Sequence, residues 1–301
     1  MACGGSVTGR DDIDIRGLRY FLEVVRAGSF TKASETLRVA QPALSVSVRR
    51  LEQKLGTTLL IREARRVIPT AEGRILIEHA ERVLERVDSA RLALDDAVDL
   101  RRGDVRIGLP PMYGLAVLPA LIARFHARYP GLTVTALEGS ADEIVGLLER
   151  GVIDLAILER RRLQPAWTRV LLGEDELVLG VHDAHPLADR THVEPADLDA
   201  LAMVVFDGSF IQRAVLDDFC RASGARPRIV LQSNFVPLVT QSVAAGLGAA
   251  TLLRAVAEAV PGIRAVSFAP RQVLAFALCW RGERYLSHAN RAFVDFVGEA
   301  A

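Results

Sequence analysis

Apolar residues recur every three or four positions through the first hundred residues, then give way to short alternating strand-like and helix-like runs. In residues 31–55, TKASETLRVAQPALSVSVRRLEQKL, the spacing predicts two helices joined by a tight turn. Thr31 is placed to N-cap the first, whose Ala33, Leu37 and flanking Val39 point inward. Ala40-Gln41-Pro42 breaks and restarts the chain, with Pro42 in a first turn where its missing N–H does no harm. Leu44, Val48, Leu51 and Leu55 make the buried stripe of the second helix. Its opposite face carries Ser45, Ser47, Arg49 and Arg50, with Gln41 at the N-terminal tip. That is the layout of a helix-turn-helix, whose second helix offers its N-terminal residues to base edges in the major groove. Small hydroxyls are poor helix formers, so Ser45 and Ser47 suggest close approach to something rather than solvation alone.

Beyond this pair, Thr57 to Ile61 reads as a short strand, Arg62 to Arg66 as a charged turn, and Val67-Ile68 as a return strand. A long helix follows over residues 70–100, N-capped by Thr70 with Glu72 and Glu78 suiting its positive end. Its Leu76, Ala80, Val83, Val87, Ala90, Leu94 and Ala97 step by four and three, an unbroken heptad seam. Such a helix is roughly 45 Å long, more than one small domain can cover. The seam therefore predicts dimerisation through a partner helix, most simply from a second copy of the chain.

The remaining two-thirds predict an α/β architecture. Strands at Val105–Leu109, Leu132–Glu138 and Leu155–Leu158 alternate with helices at Leu115–Tyr129 and Ala141–Arg150, implying a mostly parallel sheet. A second block starts at Leu177–Val181 and includes a helix around Ile211–Ala222, and Val273 to Val297 returns to complete the first block. Two lobes joined by two crossings make a hinged cleft. Ligands in such sheets lie beyond the carboxyl ends of strands, near helix N-termini. The effector-binding candidates by that rule are Pro110, Pro111, Met112, Tyr113, Ser140, Asp207, Ser209, Phe210, Asn234 and Phe235. The hydroxyls, the Asn234 amide and helix-start N–H groups favour a small carboxylate, and the prolines and aromatics favour an apolar body for it.

Charge sharpens the picture of the N-terminal part only. The chain holds 37 basic and 37 acidic side chains, yet residues 31–70 hold eight basic and three acidic ones. A basic module on a neutral body fits a DNA-binding head. Cys3, Cys220 and Cys279 are odd in number and unpatterned, which argues against disulfides and for a reducing cytoplasm. His182, His185 and His192 lack zinc-site spacing, and no nucleophile has a neighbouring base, so neither a metal, nor a cofactor, nor an enzyme is expected. No run is apolar and long enough for a membrane span, and the Gly-rich, polar start reads as a disordered tail.

Leu18 to Gly73 resembles the N-terminal domain of LysR-type transcriptional regulators. The matching pieces, in order, are Tyr20-Phe21, the GSF of Gly28–Phe30, AQPALS, RRLE and the closing TAEG. Residues 104–301 resemble the family's effector domain. The resemblance implies a winged helix-turn-helix over 14–69 after a tail over 1–13, and a linker helix over 70–101. It implies a two-lobed, periplasmic-binding-protein-like domain over 104–301, with lobe I about 104–176 and 270–301 and lobe II about 177–269. DNA-binding residues carried over are Thr31, Lys32, Gln41, Pro42, Ser45, Val46, Ser47, Arg49 and Arg50, with Arg65 and Arg66 at the wing tip on phosphates. Val46 departs from the Arg or Gln frequent there, which would leave an apolar contact such as a thymine methyl. The implied partners are double-stranded DNA with dyad symmetry, a small-molecule effector, a second or further copies as homodimer or homotetramer, and RNA polymerase. A solute-binding or enzymatic role for the α/β part, with the head as an accessory, is the alternative.

Overall fold

The structure is a computed structural model and describes residues 13–63, 66–98 and 103–300. The expected tail over 1–13, all but Ile13, and wing-tip Arg65 lie outside the described residues or at their margin. Two compact units divide between Leu94 and Asp95.

The N-terminal unit opens with α1 (Ile15–Ala27), whose first turn is capped by Asp14 accepting from the Arg16 N–H at 3.0 Å. Helix α2 (Phe30–Leu37) is capped by Ser29, whose Oγ accepts from the Lys32 N–H, and not by Thr31. Thr31 is instead an exposed second residue of that helix, because the chain turns at Gly28 and the helix starts two residues before the sequence pattern places it. Helix α3 (Gln41–Leu55) follows, with Pro42 in its first turn. Leu44, Val48 and Leu51 are buried with Phe21 and Leu22 of α1, giving a three-helix core.

Strands β1 (Leu60–Glu63) and β2 (Arg66–Pro69) pair antiparallel, so Arg62 sits in a strand rather than in the turn. The hairpin is clipped to the helices at three points. Glu52 Oε1 accepts from the Leu59 and Leu60 N–H groups at 2.9 and 3.2 Å. The Val67 N–H donates to Gly28 O at 2.9 Å. Thr70 donates its hydroxyl to Thr58 O and accepts from the Gly73 N–H, which caps α4 (Ala71–Val98). Gly73 lies so close to the hairpin that an added Cβ would stand 2.2 Å from Leu59 O.

Helix α4 carries two apolar faces where the heptad pattern shows one. Ile77, Ala80 and Leu84 pack on the core of their own head, flanked by ion pairs Arg26–Glu81 and Arg19–Asp88. Leu76 joins them, so the first two seam positions, Leu76 and Ala80, are used within the chain. At 100° per residue the inward face is centred about a quarter turn from the seam. Val83 and Leu94 remain exposed, Leu94 at 69%; Val87 is half-buried and Ala90 exposed, and the side chain of Ala97 lies outside the described set. Among the acidic residues, Glu72 alone occupies the first turn, with Glu78 one turn further on.

The C-terminal unit alternates β3 (Gly103–Leu109), α5 (Pro111–Arg128), β4 (Leu132–Glu138), α6 (Ala141–Glu149) and β5 (Leu155–Glu159). A 3-10 turn at Arg160–Arg162 leads to β6 (Trp167–His182), then β7 (His192–Val193), β8 (Ala202–Val205), α7 (Ile211–Ser223) and β9 (Arg228–Gln232). Helix α8 (Val236–Ala244), β10 (Ala250–Leu253), α9 (Arg254–Ala259), β11 (Ile263–Arg281) and α10 (His288–Ala300) complete it. The main sheet runs β10-β6-β11-β5-β3-β4, with β3 parallel to β4 and β5 and β7 added to β11. A parallel pair β8-β9 joins β10 through the Met203–Ala249 bridge.

Strands β6 and β11 are longer than the sequence indicates, at 16 and 19 residues, and both lobe boundaries fall inside them. Charged residues such as Arg169, Glu174 and Asp175 interrupt the apolar pattern of β6 without interrupting its ladder with β11. At the crossing the β11 register shifts between Ser267 and Gln272. Buried Glu176 is held there by Arg254 at 2.9 Å and Arg271 at 2.7 Å, and these cations bring its carboxyl down to about 2.

Candidate nucleic-acid interface and effector cleft

Helix α3 exposes Gln41, Pro42, Ala43, Val46, Arg49 and Arg50, with Val46 at 55% exposure. Thr31 and Lys32 are exposed at the start of α2, Ser47 is half-buried, and Arg66 is exposed in β2. Ser45 departs from the expected open face, being buried. Its Oγ accepts from Arg49 at 3.3 Å and from Arg62 of the hairpin at 3.1 Å. The Arg62 guanidinium also lies 4.3 Å above the Phe30 ring, a cation–π contact that fixes its plane. Ser45 thus holds two arginines through one hydroxyl. Arg62, read from the sequence as part of a turn, belongs to this basic set; its place opposite Ser45 depends on the strand register and leaves no local signal.

In the C-terminal unit a cavity of about 210 Å³ opens between the lobes. Lobe I contributes Pro110, Tyr113, Asp142, Glu159, Arg162 and Phe276, and lobe II contributes Ser209, Phe210, Ile211, Gln212 and Leu253. The Tyr113 and Phe276 rings meet at 4.4 Å. Burial, with Asp175 adding to it, pushes the Tyr113 phenol up to about 12, so it stays a neutral hydrogen-bonding group. Two wall charges are already answered: Asp142 pairs with Arg162, and Glu159 with Arg161 at 2.9 Å. Phe210 at the N-cap of α7 offers no side-chain cap, and Ile211 and Gln212 of its first turn line this space.

Four expected effector residues, Pro110, Tyr113, Ser209 and Phe210, therefore come together, and the others do not line the cavity. Pro111 starts α5. Met112 is buried; its Sδ accepts from the Leu253 N–H at 3.0 Å and the Gln212 amide at 3.5 Å, which ties the lobes together. Ser140 is buried in a capping box with Glu143, whose carboxyl its N–H and hydroxyl hold down. Asp207 is bridged to the Asn234 amide, and Ser209 donates to it, lowering its carboxyl. That bridge shapes the loop before α7. Phe235 points to solvent at 64% exposure. Glu159 and Arg162 were findable, since Glu159 ends the third strand of the same parallel set and Arg162 lies in the turn directly after it. Phe276 lies within β11 and could be placed only by the fold.

His182 and His185 accept from nearby backbone N–H groups in the loop after β6. No group of three metal-type ligands occurs among the described residues. No described helix is long and apolar enough to cross a membrane.

A winged helix-turn-helix with a basic exposed helix, followed by a two-lobed α/β domain with a small cleft, defines a ligand-responsive DNA-binding regulator. Residues 15–74 match the family described as bacterial regulatory helix-turn-helix protein, lysR family, and residues 99–301 match the LysR substrate binding domain. The chain belongs to the LysR family of transcriptional regulators. It is similar to the HTH-type transcriptional regulator YwbI of Bacillus subtilis, 31% identical over 94% of this chain and 95% of that one. It is also similar to the DNA-binding transcriptional dual regulator OxyR of Escherichia coli, 30% identical over 81% and 80%. Full-length OxyR C199D from Pseudomonas aeruginosa shares the fold, with a TM-score of 0.70 at 22% identity over 95% of each chain. These relatives are regulators and not enzymes, which removes the enzymatic alternative for the α/β domain.

Proposed function

We propose that the protein is a cytoplasmic homodimer or homotetramer that binds an operator of dyad symmetry and answers to a small carboxylate with an apolar body. The exposed α3 face of Gln41, Pro42, Val46, Arg49 and Arg50 carries the operator reading. Dyad symmetry follows from pairing two identical heads, and the exposed Val83 and Leu94 of α4 are the surface proposed to pair them. RNA polymerase is the further partner that the family implies. The head is assigned to 14–69, the linker to 70–101 and the lobes to the bounds given above.

For the effector, the cleft favours an apolar body against Tyr113, Phe276, Phe210 and Pro110. With wall charges paired, the uncapped start of α7 is the element that would receive a carboxylate. Ligand control requires only that the effector bind one lobe arrangement better than another. Several relatives are named hydrogen peroxide-inducible genes activators or probable ones. The described cysteines of this chain do not fit thiolate chemistry. Cys279 is buried, donates to Ala156 O and is pushed up to about 12 by burial, and Cys220 is raised by burial and Asp217.

The test is a mobility-shift assay on DNA flanking the protein's own gene, run with and without small aromatic or aliphatic acids. A retarded complex whose mobility or affinity changes with one acid is the expected result. No shift at low salt by folded oligomer would sink the operator reading, and indifference to every acid would sink the effector reading alone.

A further inference from the structure

A second concave surface lies in the N-terminal unit, between α1 and the flank of α3. It encloses about 290 Å³ and is lined by Asp14, Arg16, Gly17 and Tyr20 on α1, and by Val46, Ser47, Arg50 and Lys54 among the α3 residues. On α3 the lining positions 43, 47, 50 and 54 step by four, three and four, so they form one flank of the helix. Arg49 and Ser45 belong to the other flank, which faces Arg62 of the hairpin.

Arg16 and Arg50 share this groove with one carboxylate, Asp14. Asp14 is engaged as the cap of α1, and the guanidinium groups of Arg16 and Arg50 have no ion pair among the described residues. Gly17 is the second observation. It sits inside α1 with an ordinary helical backbone, and an added Cβ would meet nothing nearer than Leu51 Cβ at 3.7 Å. Neither the backbone nor the packing requires glycine there, although glycine in a helix costs up to about 1 kcal/mol against alanine. What its missing side chain leaves is the open floor of the groove.

A helix seated in the major groove has a phosphate strand along each of its flanks. We propose that this groove seats a backbone phosphate of the DNA duplex, with Arg16 and Arg50 as its cations and Tyr20 as a hydroxyl donor. Arg62 and Arg66 take the strand on the opposite flank. The groove adds affinity and fixes the angle of α3, and it carries no base preference, because phosphates are alike along the sequence.

The experiment uses the full-length protein and two duplexes: one selected by it from a random-sequence library, and a composition-matched scramble. Binding is followed by fluorescence anisotropy from 50 to 300 mM salt for wild type, Arg16→Ala and Gly17→Leu. Arg16→Ala should weaken binding to both duplexes by the same factor, about fivefold at 0.1 M salt, and flatten the log K against log salt slope by about 0.9. Gly17→Leu, which fills the groove without touching charge, should do the same. Circular-dichroism melting shows that each variant is folded, and exposed Arg16 keeps the test standing if Gly17→Leu is not. An unchanged salt slope for Arg16→Ala, or a loss confined to the selected duplex, would overturn the proposal.

Discussion

The two units hold charge in opposite ways. On the head, Arg49 and Arg50 stand in the open, and Arg62 is aimed by a ring and a hydroxyl rather than neutralised. In the cleft Arg162 is joined to Asp142 and Arg161 to Glu159, leaving aromatic faces and the uncapped start of α7 along the wall. A polyanion is bound largely by counterion release, which needs exposed cations. A small molecule needs enclosure and a few placed polar groups, and a bare charge there would cost more in desolvation than it returns. The units are also held together differently. The hairpin of the head is clipped at Glu52, Gly28 and Thr70, whereas the lobes share two strands, the Met112 contacts and the Glu176 cluster.

The largest effects come from the points that hold each unit in shape. Glu176→Gln removes a buried charge from between Arg254 and Arg271 and should destabilise the C-terminal unit by about 3 kcal/mol, read from its urea midpoint. The same carboxylate makes that unit acid-sensitive. Its folded value of about 2 lies below its ordinary 4.5, so its contribution is full above pH 4.5 and drains away as pH falls toward 2. The variant should lose that part of the acid limb, and an unchanged limb would show that the cluster does not brace the crossing. Gly73→Ala comes next, because its methyl would collide with Leu59 O. We expect a loss of about 2 kcal/mol confined to the head, with the cleft unit melting as before.

The same contrast explains what could be read in advance. Local patterns placed α3, its buried stripe and Pro42, and the parallel strands β3, β4 and β5, since each depends on neighbours in sequence. The cap at Ser29 rather than Thr31 turned on the backbone at Gly28, and it lies two positions before the choice the hydroxyl pattern favoured. Ser45 looked exposed because Ser is polar, but the hairpin covers it, and that covering depends on the β1 register. In the cleft, strand-end logic found Tyr113 and Phe210 and took Ser140 for a ligand group when it is a cap. Phe276 and Gln212 arrive from distant segments and carry no local mark.

Ser45→Ala separates orientation from contact on the head. It removes the shared acceptor of Arg49 and Arg62 while leaving Arg62 on Phe30, and should cost about 1 kcal/mol of stability. If Ser45 aims these arginines, DNA affinity falls with the salt slope unchanged, since no cation is lost. A steep drop on one sequence alone would make Ser45 a base reader.

The smallest expected effect sits at Arg38, where α2 ends in a left-handed backbone at φ 54° with a side chain other than glycine. That conformation costs an L-residue about 1 kcal/mol, and glycine adopts it freely. Arg38→Gly also loosens the unfolded chain, which offsets part of the gain, so the net stabilisation of the head should be about 0.5 kcal/mol. Arg38 is exposed and cationic just before α3, so the same change should weaken DNA binding slightly and equally on all sequences. Stability and binding would then move in opposite directions from one substitution, as expected of a head that keeps its charge outward at some expense to its fold. A glycine variant that is both less stable and equally tight on DNA would remove Arg38 from the exposed basic set.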